Sequence, residues 1–462
     1  MKALMLLIFL LPISAFASWP QIYVRGMGGG VTIDSYDNVI IVGSAHIDSL
    51  LTAHTIKYDS SGGIIWSRDF EAGTIYGGGA GVVCDKSNNI IIGGCVYSAE
   101  SHYAYCTLKY SSEGTLLWSR IYRVDSLDLE AENDIAVDKN NNVIVTGESG
   151  LGYCTIKYDS MGTELWRKYF PMGNKWSGPF LTIDIHNNVM ISLNYLNKSL
   201  IVKYSHNGDS LWTKQFDDSI TGPLVMDKNN NIVIGSTLQQ NDTSYIVSIT
   251  KVDSMGTTIS RKEYASDQAG TPYDITIDND GNIITAGVAR IDTNNGDYSG
   301  DFGITKYTPG GDSILWNRTY HKENFEWGKA VAVNSKNEIF VTGTIGLGDT
   351  IMAWFTLKYD SDGNLIGISE EQSAPKKLNH ITVFPNPFTS KTTLRYSIPR
   401  SSKVSLNIYD ISGSCVKTFV NGEKPAGSYT TTLNANELKT GVYFVRLTAG
   451  TFKETKKLVL MR

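Results

Sequence analysis

A module that returns about every 50 residues constrains this chain more than any other feature. Each copy reads Asp, an Asn-rich turn, an apolar run, Lys-Tyr, a Gly turn and Leu-Trp. In the third copy these are Ile135 to Asp138, Asn142 to Gly147, Thr155 to Tyr158, Gly162 and Leu165-Trp166. The Asp recurs at Asp34, Asp85, Asp138, Asp184, Asp227 and Asp278, with Asn334 in the last copy; the Lys recurs at Lys57, Lys109, Lys157, Lys203, Lys251, Lys306 and Lys358. Both markers count seven copies, so the fold follows from one unit and its repetition.

Each unit holds four short runs rich in Val, Ile, Thr and Tyr between turn residues, which is a strand pattern. In the third unit they are Asp134 to Val137, Asn142 to Gly147, Tyr153 to Tyr158 and Glu164 to Phe170. Four antiparallel strands per unit predict one blade of a propeller, and the count predicts an all-β, seven-bladed β-propeller over residues 18–368. Runs such as Ile40-Ile41-Val42 are apolar at consecutive positions, as expected of strands covered on both faces by neighbouring blades. The Asn-rich turns resemble calcium loops in their oxygen spacing, but they lack a closing Glu and carry substitutions such as Lys139 and Lys336; hairpin turns are the favoured reading. The repeated Lys-Tyr pair reads as structural for the same reason of repetition.

The outer strand of most units carries a Trp, at Trp66, Trp118, Trp166, Trp212 and Trp316, and the last unit lacks it. Trp19-Pro20-Gln21-Ile22-Tyr23 supplies that spacing at the other end of the chain. The N-terminal segment is therefore expected to form the outer edge of the last blade and close the ring. The repeat unit resembles the bacterial β-propeller repeats of the SBBP type over residues 18 to about 368, a resemblance that speaks to fold and not to activity.

Lys2, the apolar run Ala3 to Ile13 and Ala15-Phe16-Ala17 have the charge, length and cleavage pattern of a secretory signal peptide over residues 1–17. No second long apolar run follows, so no transmembrane segment is expected after its removal. Residues 369–379 form a polar linker, and residues 380–462 alternate as the strands of a small Ig-like β-sandwich. Pro385-Asn386-Pro387, Ile408 to Gly413, Ala426-Gly427-Ser428-Tyr429 and Gly441-Val442-Tyr443 recur there in order. That set, with Gly413, Gly427, Gly441 and Tyr443 as its fixed points, resembles the C-terminal sorting domain of type IX secretion substrates in Bacteroidota. The resemblance implies the type IX machinery as a partner and export to the outer-membrane surface or beyond.

Net charge is −5 with no cluster of Lys or Arg, which argues against a nucleic-acid partner. Of five cysteines, Cys95 and Cys106 could face each other across a hairpin, but buried packing is the favoured reading, since Cys106 and Cys154 hold the repeat position of Leu200 and Phe355. No nucleophile elbow, His-Glu-x-x-His, Cys-x-x-Cys or phosphate loop is present, and the seven His are scattered, so no catalytic residue, metal site or cofactor is predicted. Carboxylates brought together across blades would leave no such motif.

The turns within each pair of strands are short and uniform, whereas the second-to-third and blade-to-blade loops vary widely, and function on repeat proteins gathers on the irregular face. Aromatic residues outside the repeat pattern collect there: Tyr97, Tyr103, Tyr153, Trp176, Tyr273, Tyr298, Trp327 and Trp354. Asp134, Asp274 and Glu326 enter at the same end. Rings beside carboxylates suit a saccharide or peptide, with Trp176 and Trp327 foremost. The expectation is a non-catalytic binding module for an extracellular polysaccharide or protein. The alternatives are a glycan hydrolase or lyase using Asp134, Asp274 and Glu326, and a structural surface-layer or adhesin component.

Overall fold

The structure is a computed structural model. It describes residues 19–461 apart from 25, 48–49, 71–75, 99–101, 124–130, 150–151, 172–177, 196–197, 217–221, 242–243, 266–268, 292–299, 322–325, 348–350, 367–380, 385, 387, 399–401, 425–426 and 450–451. The segment 1–17 and the linker 369–379 lie outside the described residues. The chain divides into two compact units, Met1–Gly367 and Ile368–Arg462.

The first unit is built from four-stranded antiparallel meanders. The third comprises Ala131–Val137, Val143–Ser149, Gly152–Tyr158 and Glu164–Phe170, paired in that order. Its inner strand starts three residues before the expected Asp134, because a bulge between Glu132 and Asp134 breaks the alternation that marks a strand in the sequence. Five such sheets stand alone, and the first two meanders join through a single parallel bridge, Leu51 to Tyr76, into one eight-stranded sheet. The inner strands Gly26–Ile33, Tyr76–Cys84, Ala131–Val137, Phe180–Ile183, Leu224–Met226, Thr271–Ile277 and Glu326–Val333 each contact the next, and the last contacts the first. The arrangement is all-β and propeller-like.

Apolar contacts lie between meanders. Ile91, Tyr105 and Trp118 of the second pack with Ile135, Val145 and Ile156 of the third in one cluster, so a single meander has no core of its own. The last meander is completed from the other end of the chain: Gln21–Val24 pairs antiparallel with Ile351–Tyr359. Trp19 packs edge-on against Tyr58 and Phe340, and its Nε1 donates to Ser60 O at 3.2 Å. Trp66, Trp118, Trp166, Trp212 and Trp316 donate in the same way to the next meander's turn, for example Trp118 to Ser160 O at 3.1 Å. Trp19 thus occupies the position that the repeat reserves for its outer-strand Trp.

The Asp and Lys markers meet inside each meander. Asp138 Oδ1 accepts from Asn140 N and Asn142 N, while Oδ2 accepts from Asn142 Nδ2 at 2.8 Å and pairs with Lys157 Nζ at 2.9 Å. The same ammonium donates to His206 O of the next meander at 3.1 Å. The Lys157 ammonium thus lies between Asp138 Oδ2 and His206 O. In the last meander Asn334 cannot balance Lys358, and Glu338 does so instead at 2.8 Å.

None of the five cysteines is in a disulfide. Cys95 pairs with Tyr105 and Cys106 with Gly94, so the two thiols occupy adjacent rungs and point to opposite faces of the sheet.

The second unit has a three-stranded sheet, Ile381–Phe384, Lys391–Ile398 and Gly427–Asn434, and a four-stranded one, Cys415–Lys424, Ser402–Tyr409, Gly441–Ala449 and Phe452–Leu460. Leu394, Tyr396 and Leu433 of the first share a core with Val404, Leu406, Val445 and Leu458 of the second.

Candidate functional site

The inner strands enclose a cavity of about 380 Å3. Small and apolar residues such as Gly30, Gly81 and Ala330 line much of it, but the surface it presents is mainly polar, with the side chains of Thr32, Asp134, Tyr273, Asp274, Thr276 and Lys329 beside backbone groups. Asp134 and Asp274 occupy the same position after the inner-strand bulge of the third and sixth meanders. Each carboxylate is spanned by backbone donors. Asp134 accepts from Ile135 N at 2.8 Å and from Leu181 N of the next meander at 2.7 Å, and Asp274 accepts from Ile275 N and Val331 N at 2.8 Å. Burial pushes both carboxyls up to about 7, against the pull of those backbone bonds. The residual charge on Asp134 raises Asp274 further.

Tyr273 is 42% exposed, and Lys329 Nζ lies 5.7 Å from its ring centroid. Burial holds the Lys329 ammonium below its ordinary value and raises the Tyr273 phenol. Nothing in the sequence singles out Lys329; only the register, which sets it one bulge before Ala330, brings it to Tyr273.

The other expected site residues divide. Trp327 is 41% exposed at the start of its inner strand and can present its ring. Tyr153 and Trp354 cannot, which corrects the expectation. Both are 2% exposed, Tyr153 donating to Asn194 O at 3.1 Å and Trp354 Nε1 to Ser44 O at 2.7 Å, so their rings seal the seams between sheets. Glu326 also departs from the expected cavity group. It has no exposed surface and faces His321 and Asp301. Trp176 and Tyr298 lie outside the described residues, as do the side chains of Tyr97 and Tyr103.

In the second unit, Asn386 is exposed and ties the final strand in place. Its Nδ2 donates to Lys457 O at 2.7 Å and its Oδ1 accepts from Val459 N at 2.8 Å. Phe388 continues the ladder, donating from its N to Val459 O and accepting from Met461 N, while its ring is buried in the core. Tyr443 OH donates to Lys439 O at 2.7 Å, and Gly413, at φ 83°, closes the turn that Asp410 caps. Pro385 and Pro387 lie outside the described residues, as does the surroundings of Gly427. Gly441 opens the strand that runs to Ala449.

Residues 382–461 match the family of secretion system C-terminal sorting domains. The chain thus carries a type IX sorting domain after an all-β, propeller-like unit. The sorting domain implies interaction with the type IX machinery and delivery to the cell surface or the extracellular space.

No curated protein matches the chain in sequence. Among solved structures, it is similar to PorZ, an essential surface component of the type IX secretion system of Porphyromonas gingivalis, at 12% identity and a TM-score of 0.37. That match covers 95% of this chain and 70% of that one. It is also similar to Sqt1 from Chaetomium thermophilum at 10% identity and a TM-score of 0.44, over 76% of this chain and 85% of that one. Likeness of this degree carries no activity to the chain. Among the described residues, no helix is long and apolar enough to cross a membrane.

Proposed function

We propose that residues 18–368 form a seven-bladed β-propeller closed by the N-terminal strand, that residues 380–462 form an Ig-like sorting sandwich, and that the propeller is a non-catalytic binding module. The unbroken circuit of inner strands supports the ring. One observation carries the binding function: an exposed Tyr273 ring beneath Lys329, at a cavity that also holds two carboxylates. An aromatic face takes the apolar face of a sugar, and the ammonium takes an anionic substituent. The ligand is accordingly an extracellular polysaccharide or a protein surface of like chemistry, with the exposed Trp327 available as a second platform.

Incubating the chain with a panel of extracellular polysaccharides, while following both its depletion from solution and the release of new chain ends, tests this reading. Depletion without products is expected, weakened at least tenfold by Tyr273→Ala combined with Lys329→Gln at an unchanged melting temperature. Undiminished binding by that variant rejects the site. Carboxyls held near pH 7 favour a second reading, a glycan hydrolase or lyase using Asp134 and Asp274. Against it, each of their oxygens already accepts a backbone N–H. Product release abolished by Asp134→Asn would establish the enzyme.

A further inference from the structure

The two units carry opposite charge. Residues 368–462 hold 14 Lys and Arg against six Asp and Glu, a net of +8, whereas residues 1–367 hold 27 against 40, a net of −13. The sorting unit therefore attracts acidic surfaces that the rest of the chain repels.

Part of this positive charge is gathered on one sheet face. In the four-stranded sheet of the sorting unit, Leu406, Ile408, Val445, Leu447 and Leu458 are buried in the core, so the residues that alternate with them face outward. One outward row pairs Tyr409 with Phe444 and Phe444 with Lys457; the next pairs Asn407 with Arg446 and Arg446 with Thr455. A third pairs Ser405 with Thr448 and Thr448 with Lys453. An outer face is expected to be polar, yet Phe444 is 38% exposed, with Val442 paired to Val459 beside it. The Arg446 guanidinium lies 4.6 Å from the Tyr409 ring centroid, and its Nε donates to Thr455 Oγ1 at 3.3 Å. Among the described residues, Arg446, Lys453 and Lys457 form no ion pair. The face thus offers an aromatic centre ringed by cations whose charge nothing in the unit balances.

We propose that this face, centred on Tyr409, Phe444 and Arg446, is where the sorting unit docks on a protein of the type IX machinery, against a surface that presents carboxylates around an apolar pocket. The family match supplies the partner, and the charge supplies its sign. Aromatic rings and arginine are the residue types that anchor protein interfaces. Phe444 fills the pocket, and Arg446, held over Tyr409, gives a carboxylate two parallel N–H donors. Lys453 and Lys457 steer the approach. A guanidinium set in place by a ring and by Thr455 suits a fixed carboxylate better than the mobile headgroups of a lipid surface.

The test is export of the full chain from a type IX-secreting bacterium, read as the fraction that reaches the cell surface or the medium. Phe444→Ser combined with Arg446→Glu should lower that fraction at least tenfold and leave the chain between the two membranes, with the melting of the purified chain unchanged. Ile411→Ser combined with Lys391→Glu makes a like exchange elsewhere on the unit, at an exposed turn and on the other sheet, and should export as the unaltered chain does. Should the first variant melt lower, Lys453→Glu combined with Lys457→Glu, which keeps both rings, decides: reduced export supports the face and unchanged export overturns it. Undiminished export of the first variant, or an equal loss in the second, overturns the proposal. So does binding of the purified chain to phosphatidylglycerol vesicles that the first variant loses, which would assign the face to a membrane surface.

Discussion

At the scale of the residue, the repeat is an economy of carboxylates with opposite settings. Burial works to raise Asp138, and the bonds from Lys157 and Asn142 outweigh it, leaving the carboxyl below its ordinary 3.8. Asp34, Asp85, Asp184, Asp227 and Asp278 share this balance. A lowered folded value adds stability above the unfolded value and loses it as pH falls through the folded one, so these residues set an acid limb below about pH 4. Asp134 and Asp274 are raised, and act the other way. Between 3.8 and about 7 the folded state holds protons that the unfolded state has released, so stability declines as pH rises across that window and is flat above it. Asp134→Asn and Asp274→Asn should therefore shrink the difference in melting temperature between pH 5 and pH 8, and a difference equal to that of the unaltered chain would refute this. Lys157→Met leaves the buried Asp138 without its cation, an expected loss of about 3–5 kcal/mol. Adding Asp138→Asn should recover part of it in denaturant melts; no recovery would show that packing, rather than charge, accounts for the loss.

At the scale of the element, the strand Gln21–Val24 and its Trp19 decide whether the last meander has an open edge. Trp19 is 2% exposed and shares a cluster with Phe340 and Trp354, so Trp19→Ala is expected to cost about 3–5 kcal/mol. Deleting residues 19–24 goes further, baring Ile351–Tyr359 as an unpaired strand. A sharply lower melt with concentration-dependent association is expected in thermal and size-exclusion measurements, and an unchanged melt would sink this account of closure. This element was legible in the sequence because Trp19 keeps the period of the repeat. The aromatic site was only partly legible. Tyr153 and Trp354 sit near irregular loops along the chain, but the strand pleat turns their rings between sheets, a direction that no local pattern records. Tyr273 stays exposed because it occupies the bulge before Asp274. That Asp301, His321 and Glu326 approach one another was not legible, since parts of two meanders bring them together and no spacing marks it.

At the scale of the whole molecule, the turns of successive meanders are bonded to one another in sequence. The left-handed residue of each Asn-rich turn accepts a backbone N–H from the turn before it: Asn88 from Ser35, Asn141 from Lys86, Asn187 from Lys139, Asn230 from Ile185 and Asn337 from Asn279. Asp37 accepts from Ser335 and completes the circuit. At the seam between the fifth and sixth meanders the position is Gly281, at φ 87°, which has no side chain to accept with. The same seam lacks the outer-strand Trp, and Tyr264 OH bonds to Gly311 O in its place at 2.8 Å. A ring that depends on every seam opens first at its least bonded one, so native-state hydrogen exchange should be fastest along the strands that flank this seam. Gly281→Asn should supply the missing bond. Asn tolerates the left-handed backbone, and a Cβ at this position meets only Pro309 side-chain atoms at 3.8 Å, an ordinary contact. The expected gain is about 0.5–1.5 kcal/mol, read as a higher melting temperature together with slower exchange of the Lys228 amide, the donor that the added side chain would face. Slower exchange without a higher melt would mean that the ring opens elsewhere, and no change in either would mean that the turn circuit does not hold the seams together.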